Sequence, residues 1–413
     1  MTDRSCNTRL DANGSPQRWT VVLALFTVTS IVEAIGISQV FAFMPLYLKE
    51  MGLPETEIPR WVGTLGALVF VFGLPLVPLW GVWADKYSRK AVILRSALVE
   101  AVVFTAIALS RQPWQLAGSM LLSGLSLGNS GVMLAAMRDL TPQRRLGIAI
   151  AIFGATWPVG SALGPALGGL LVDGFHTPIS YVYLLGAALA ASSTGLLALG
   201  FHEVRPEKPP TRSVPELAYG AIRGVFTEPT TRRLFVIFGI SLLGGQMIRP
   251  FVPILVAQVI GTQEGLASAI ALVVGTASLV GGLLSPMAGA VGDRAGFRPV
   301  LAVSLAASGL AVAVMALAPS VAWLAGINAL LSVLGAAVSA MIFGLLAVEV
   351  PPDRRSATLN LVYLPLYLAG IVGPAIGAVV VDAGLPILFL VGGLLLGAAA
   401  LLVAVLRPTH QVA

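Results

Sequence analysis

Charged residues are scarce in this 413-residue chain, where Asp, Glu, Lys and Arg together fill only 11% of the positions. A soluble protein of similar length carries about 25% charged residues. Hydrophobic residues reach 57%, and many of the glycines and prolines fall inside the apolar runs. Bundles of membrane helices tolerate such residues, because neighbouring helices supply partners for the freed backbone groups. The composition therefore excludes an ordinary soluble protein and predicts a polytopic membrane protein.

Residues that carry metal, redox or hydrolytic chemistry are also rare. The single cysteine, Cys6, excludes an intrachain disulfide and a cysteine-based metal site. The three histidines fall in predicted loops or in the tail, at His176, His202 and His410. No G-x-x-x-x-G-K-[ST] motif occurs, which argues against an ATP-driven pump. No Cys-His or Ser-His arrangement lies within the apolar segments, so we expect neither an enzyme nor a cofactor. No cleavable signal peptide is evident.

Twelve apolar segments are long enough to cross a bilayer, which takes about 20 residues. The predicted fold is therefore all-α, with twelve transmembrane helices. The segments cover about 19–46, 61–83, 91–110, 115–138, 147–172, 181–201, 234–257, 267–290, 299–317, 322–346, 357–380 and 386–406.

The longest polar segment, residues 202–233, divides these helices into two sets of six. It begins as a proline-rich linker and then allows a short surface helix. The predicted organisation is a tail (1–18), a six-helix half (19–201), this linker, a second six-helix half (234–406) and a short tail (407–413).

The positions of Lys and Arg predict the orientation of the chain in the membrane. Twenty of the 25 lie in the tails and in the loops that follow even-numbered helices. The opposite loops hold only Lys49, Arg60 and Arg111, and two more, Arg95 and Arg249, fall within spans. By the positive-inside rule, we expect both termini to be cytoplasmic. The expected location of this multi-pass protein is the bacterial plasma membrane. The basic excess is thus no sign of nucleic-acid binding.

One motif occurs twice, half a chain apart. Gly81 opens G-x-x-x-D-K-x-x-R-K and Gly289 opens G-x-x-x-D-R-x-G-x-R, with the aspartates at Asp85 and Asp293. Three other segments, Phe-x-Pro, Arg-Arg and Gly-Pro, also have a counterpart in the other half, 208 to 210 residues away. Because each half contains an even number of helices, the halves have the same orientation, as in a parallel repeat.

The twelve helices, the basic central loop and the doubled motif resemble the major facilitator superfamily over residues 19–406. The resemblance implies two six-helix bundles around a central cavity, which rock to expose it to either side. It also implies a cytoplasmic gate in which the motif's aspartate bridges helix 2 to the start of helix 11. The gate residues would be Asp85, Arg89, Asp293 and Arg298, although Ser88 stands where the family has glycine. Ordinary charged turns are the alternative.

Helix 5 carries G-x-x-x-G-P-x-x-G-G, formed by Gly160, Gly164, Pro165, Gly168 and Gly169. This motif resembles that of the proton-coupled drug-export antiporters, although a generic packing seam is the alternative. Helix 11 keeps a reduced copy, with Gly373, Pro374 and Gly377 followed by Ala378.

Ionisable residues at membrane depth are costly and usually functional. Glu33, midway along helix 1, is the first candidate for proton coupling and for binding a cationic substrate, and a carboxylate paired structurally within the first half is the alternative. Glu100 is a second proton-coupling candidate, unless it is held within the first half. Arg249 could anchor an anionic substrate or pair with Glu33 across the halves. Arg95 is shallower, so its side chain can extend to the cytoplasm, and we favour a structural role for it.

Polar and aromatic side chains on the presumed cavity helices suit a flat lipophilic ligand, although packing is the alternative for each. They are Gln39, Asn129, Trp157, Gln246, Asn360, Tyr363 and Tyr367. The drug-export branch usually carries an arginine on helix 4, and here the stretch Ser119–Gly124 has none. That departure shifts the expected proton chemistry to Glu33 and Glu100.

The sequence thus predicts proton-coupled efflux of lipophilic or amphiphilic compounds, such as drugs, by a monomer that uses the proton gradient. Its partners would be the substrate, protons and the lipid bilayer. Two alternatives remain: transport of a polar or anionic metabolite anchored by Arg249, and a membrane enzyme or sensor that transports nothing.

Overall fold

The computed structural model describes residues 18–203, 211–227, 229–349 and 363–405, and every regular element in this part is helical. Eleven of its helices are long and apolar enough to cross a membrane. In chain order the helices are α1 (Trp19–Glu50), α2 (Ile58–Lys86), α3 (Arg89–Leu109), α4a (Pro113–Ser123), α4b (Asn129–Leu140), α5 (Gln143–Gly174), α6 (Ile179–Gly200), a linker helix (Val214–Thr227), α7 (Arg232–Ile260), α8 (Leu266–Ala295), α9 (Phe297–Met315), α10 (Val321–Glu349), α11 (Tyr363–Val380) and α12 (Leu385–Val405).

The predicted span 115–138 is not one continuous helix. It is broken by a turn over residues 124–128, which separates α4a from α4b. Gly128 has a φ of 96°, a left-handed conformation that favours glycine. At Gly124 a Cβ atom would lie 2.8 Å from the carbonyl oxygen of Val69, so glycine lets α4 approach α2 closely. The two short helices together make a twelfth crossing.

The helix pairings repeat between the two halves. In the N-terminal half (α1–α6), α1 packs on α5 and α3 packs on α6. In the C-terminal half (α7–α12), α7 packs on α11 and α9 packs on α12 in the same way. The halves meet along two seams, α2 with α11 and α5 with α8, which are related by the same repeat.

The bundle has two faces, named here from the chain ends. Helix α1 begins and α12 ends on the tail face, and successive helices cross alternately to the opposite far face. Both seams are tight toward the far face. A Cβ on Gly169 of α5 would lie 3.1 Å from the Cβ of Ala271, and one on Gly63 of α2 would lie 2.8 Å from the Cβ of Ala378.

These two close approaches are the same contact in the two halves. Ala271 follows Gly63 by 208 positions and Ala378 follows Gly169 by 209. Each seam therefore pairs one glycine with one alanine, with the two exchanged between the helices. Ala378, which makes the α11 motif look reduced in the sequence, is accommodated by the glycine at position 63.

At the tail side, the described residues leave space beside the first glycine of each copy of the repeated motif. A Cβ added to either Gly81 or Gly289 would meet no atom of the described residues within 4 Å. The space at both copies of the motif contrasts with the tight far-face seams.

Candidate functional site

Glu33 lies at the centre of α1 with its side chain turned into the N-terminal half. It is 5% exposed, and its Oε2 accepts a hydrogen bond of 2.9 Å from Nδ2 of Asn129. Asn129 is the first residue of α4b and is also buried. The helix break thus places an amide donor against the carboxylate of α1.

Glu100 of α3 belongs to the same buried region. It is 5% exposed, and its Oε1 has no hydrogen-bond partner among the described residues. It borders a cavity of about 30 Å³, together with Ser123, Ser126 and apolar residues of α1, α2 and α3. That volume holds about one water molecule.

Arg95 closes the helix break from α3. Its Nη2 donates to the carbonyl oxygen of Leu127 at 3.0 Å and, more weakly, to that of Ser126 at 3.4 Å. The guanidinium also lies 4.0 Å from the centre of the Trp80 ring, a cation–π contact. These contacts agree with the structural role favoured for Arg95. The side chain does not extend to the cytoplasm, because free carbonyls at a break inside the bundle attract a donor.

The sequence analysis missed Trp80, Ser126 and the break itself. A signal for the break was present in Gly124-Leu-Ser-Leu-Gly128, two glycines that bracket a serine in an apolar run. The resulting cluster, called here the α4-break cluster, comprises Glu33, Arg95, Glu100, Ser126 and Asn129.

Arg249 lies apart from this cluster, at a 3-10 turn over Arg249–Phe251 within α7. Its side chain is exposed, and its guanidinium lies 5.9 Å from the centre of the Phe41 ring on α1. Phe41 precedes Arg249 by 208 positions, so the contact joins equivalent residues of the two repeats. No carboxylate of the described residues lies within 4.0 Å of Arg249. The expected Glu33–Arg249 pair is not formed in this conformation.

The other predicted ligand residues fall into different environments. Gln39 is fully buried, and its Nε2 donates to the carbonyl oxygen of Gly164 at 3.2 Å, so it joins α1 to α5. Trp157 is 41% exposed, and Gln246 is half-buried. The ring of Tyr367 lies 5.9 Å from that of Phe70 across the α2–α11 seam. Asn360 and the side chain of Tyr363 lie outside the described residues.

The glycines of the helix 5 motif face two different neighbours. A Cβ on Gly160 would lie 2.6 Å from the Cβ of Ala34, and one on Gly164 would lie 2.6 Å from the carbonyl oxygen of Ile35. These glycines, with Gly168, pack α5 against α1, whereas Gly169 faces α8. In the second half, Gly373 and Gly377 pack α11 against α7, and Pro374 meets the α2 glycines.

The first copy of the doubled motif forms a charged network at the tail face. Arg89 donates to Asp85 at 2.9 and 3.0 Å and to Asp139, at the end of α4b, at 2.7 Å. Glu203 accepts from the backbone nitrogen of Arg89 at 2.9 Å and from the hydroxyl of Ser88. All these partners belong to the N-terminal half or its end. The predicted start of helix 11, near residue 357, is the expected partner of Asp85 and falls outside the described residues.

Comparison with known proteins identifies the family. The model of the Major Facilitator Superfamily matches residues 26–262 and 234–413. The chain belongs to this superfamily. It is a multi-pass membrane transporter and not an enzyme, as predicted.

Two relatives are named as drug exporters. The multi-drug resistance efflux pump PmrA homolog of Lactococcus lactis is 26% identical over 83% of this chain and 84% of its own length. The multidrug resistance protein MdtG of Proteus mirabilis is 26% identical over 84% of this chain and 85% of its own.

Solved structures confirm the fold. A mutant of the nucleoside transporter NupG matches with a TM-score of 0.77 at 15% identity, over 93% of this chain and 98% of that one. The human organic anion transporter MFSD10 matches with a TM-score of 0.67 at 17% identity, over 93% and 99%.

Proposed function

We propose that this secondary transporter exports small lipophilic or amphiphilic compounds in exchange for protons. The observation that carries the proposal is the presence of two buried carboxylates, Glu33 and Glu100, at the broken fourth helix. Ionisable groups inside a membrane bundle mark proton and substrate pathways, and interrupted helices mark binding sites in transporters. The relatives named as efflux pumps support the substrate class and the direction.

The tail face lies in the cytoplasm in this proposal, because most Lys and Arg residues lie on that side. The tight far-face seams then close the outer side, so the conformation faces inward. A drug would reach the central space from the cytoplasm or the inner leaflet. Exposed Trp157 and half-buried Gln246 suit such a ligand, whereas the buried Gln39 is not accessible in this state.

Charge counting in the α4-break cluster supports proton exchange. With both carboxylates ionised, Glu33, Glu100 and Arg95 carry a net charge of −1, and one bound proton makes the cluster neutral. The bond from Asn129 is charge-assisted while Glu33 is ionised, and such bonds are about twice as strong as neutral ones. Protonation of Glu33 therefore weakens the link between α1 and α4b. That link couples the proton to the movement of a cavity helix.

The gate at the tail face is the second part of the proposal. Asp85 and Arg89, with Asp293 and Arg298 in the repeat, would close the cytoplasmic side when the far face opens. In the present state Asp85 pairs within its own half, and Asp293 is exposed.

One observation favours a second candidate, transport of a small organic anion. Arg249 is exposed near the junction of the halves, with no carboxylate of the described chain within 4.0 Å. An aromatic ring beside an accessible guanidinium suits a planar carboxylate. In this case Arg249, and not Glu33, anchors the substrate.

Inverted membrane vesicles with an imposed pH gradient test the proposal. Addition of a lipophilic cation should partly dissipate the gradient in vesicles with wild-type protein, and Glu33→Gln should abolish the response. Glu55→Gln is the matched control, since it removes an exposed carboxylate of the α1–α2 loop. A hydrogen bond from Lys49 holds the pKa of Glu55 below its ordinary value, so this control also removes a negative charge at neutral pH.

The outcomes separate the two candidates. Gradient loss that organic anions cause through Arg249, with none caused by cationic or neutral drugs, would favour transport of an organic anion. A response to drugs that survives in Glu33→Gln would contradict the assigned proton site.

A further inference from the structure

Two contacts at the far face cross between the halves and are the same contact repeated. Asp173, in the last turn of α5, accepts a hydrogen bond of 2.6 Å from the backbone nitrogen of Ser268 in α8. Asp382, just after α11, pairs with Arg60 in the first turn of α2 at 3.6 Å. Asp382 follows Asp173 by 209 positions, and Ser268 follows Arg60 by 208. Each aspartate therefore reaches the equivalent point of the opposite half.

These contacts lie next to the glycine–alanine approaches at the far-face ends of the two seams. Ser268 lies one turn from Ala271, which meets Gly169, and Arg60 lies one turn from Gly63, which meets Ala378. A carboxylate and a glycine–alanine approach thus occur together at both seams. Because both contacts join helices of different halves, opening the far face must break them.

We propose that Asp173 and Asp382 are paired positioning residues that hold the far face closed and so set the balance between the two access states. The inference depends on the two-half frame of the family and not on the substrate or on proton coupling. The glycine–alanine approaches supply the fit between the helices, and the carboxylates supply the attraction.

The two contacts differ in strength for a physical reason. Asp173 bonds a backbone amide in the first turn of α8, where the helix dipole favours a negative charge. Asp382 and Arg60 are 55% and 67% exposed and 3.6 Å apart, and exposed ion pairs contribute little. We therefore expect Asp173 to dominate, with Asp382 and Arg60 adding a smaller effect.

Distances between spin labels on the far face test this inference without any substrate. Labels would be attached at Arg111→Cys and Pro319→Cys, in equivalent far-face loops, in a chain whose only cysteine is replaced (Cys6→Ser). Asp173→Ala should raise the ratio of far-open to far-closed protein about tenfold, as expected for the loss of about 1.4 kcal/mol. Asp382→Ala should raise it less than about fivefold.

Control variants make the result specific. Arg60→Asp and Asp382→Arg should each favour the open state, and the double exchange should restore the wild-type distances. Glu264→Ala, which removes another exposed acid of the far face, should change nothing. An unchanged distance distribution in Asp173→Ala would overturn the proposal, and so would a charge exchange that fails to restore closure.

Discussion

The two halves share one architecture but hold different chemistry at equivalent positions. Glu33, Arg95 and Glu100 of the first half correspond, 208 positions later, to Ser241, Val303 and Ser308. The two serines are buried and donate to carbonyls of their own helices, at 2.7 Å in each case.

The fourth helix of each half shows the same contrast. It is broken in the first half, whereas its counterpart α10 runs unbroken from Val321 to Glu349. The two repeated halves share the same helix packing, whereas the charges of the proposed proton site are confined to the first half.

We expect the largest difference in transport between a variant of Glu100 and a variant of its counterpart, Ser308. We expect Glu100→Gln to reduce proton-coupled transport at least about tenfold, because it removes one of two titrating groups from a buried cluster. Ser308→Ala removes only a hydroxyl that bonds its own helix, so transport should stay near wild type. Drug-dependent gradient loss in inverted vesicles measures both. Equal losses in the two variants would show that the chemistry is not confined to the first half.

The next comparison concerns the stability of variants at the equivalent positions Arg95 and Val303. Arg95→Met leaves the carbonyls of the α4 break without their donor, and a buried unsatisfied carbonyl costs about 1–3 kcal/mol. The thermal unfolding midpoint in detergent should therefore fall. Val303→Met changes an exposed position of α9 and should leave the midpoint unchanged. Full stability of Arg95→Met would mean that the break needs no donor.

The two copies of the gate motif should also differ. Asp85→Asn removes the negative charge of the carboxylate that accepts from the buried Arg89, and hydrogen bonds to charged groups contribute about 1.5–3 kcal/mol. We expect turnover to fall about tenfold in Asp85→Asn and less in Asp293→Asn, since Asp293 is exposed in this state. Initial rates of drug export from loaded cells measure the difference. Unchanged turnover in Asp85→Asn would exclude its gating role.

The smallest expected effect is the coupling between Glu33 and Arg249. The two groups are not in contact, and separate sites add within about 0.3–0.5 kcal/mol. The double variant Glu33→Gln/Arg249→Ala should therefore bind a drug with the sum of the single free-energy changes. A coupling well above this range in equilibrium binding would show that the pair forms in another state of the cycle.

The helix number and the repeat were predictable from the sequence, whereas the local geometry of the charged groups was not. Twelve crossings, the repeat and the family followed from apolar length and from motif spacing. The partners of Arg95 could not be predicted, because depth along a helix does not show that a neighbouring helix is broken. The proposed link between Glu33 and Arg249 failed because sequence position does not reveal which way a side chain turns. The role of Gly63 was also invisible, since it depends on the alanine at position 378 in the other half.

Proton release on drug binding tests the central claim most directly. Purified protein in a weakly buffered detergent solution would be mixed with a lipophilic cation while a pH-sensitive dye reports released protons. Wild-type protein and Arg249→Ala should both release protons, whereas Glu33→Gln should release none while still folding. Release that persists in Glu33→Gln, or that disappears only in Arg249→Ala, would contradict the assignment of the exchanged proton to Glu33.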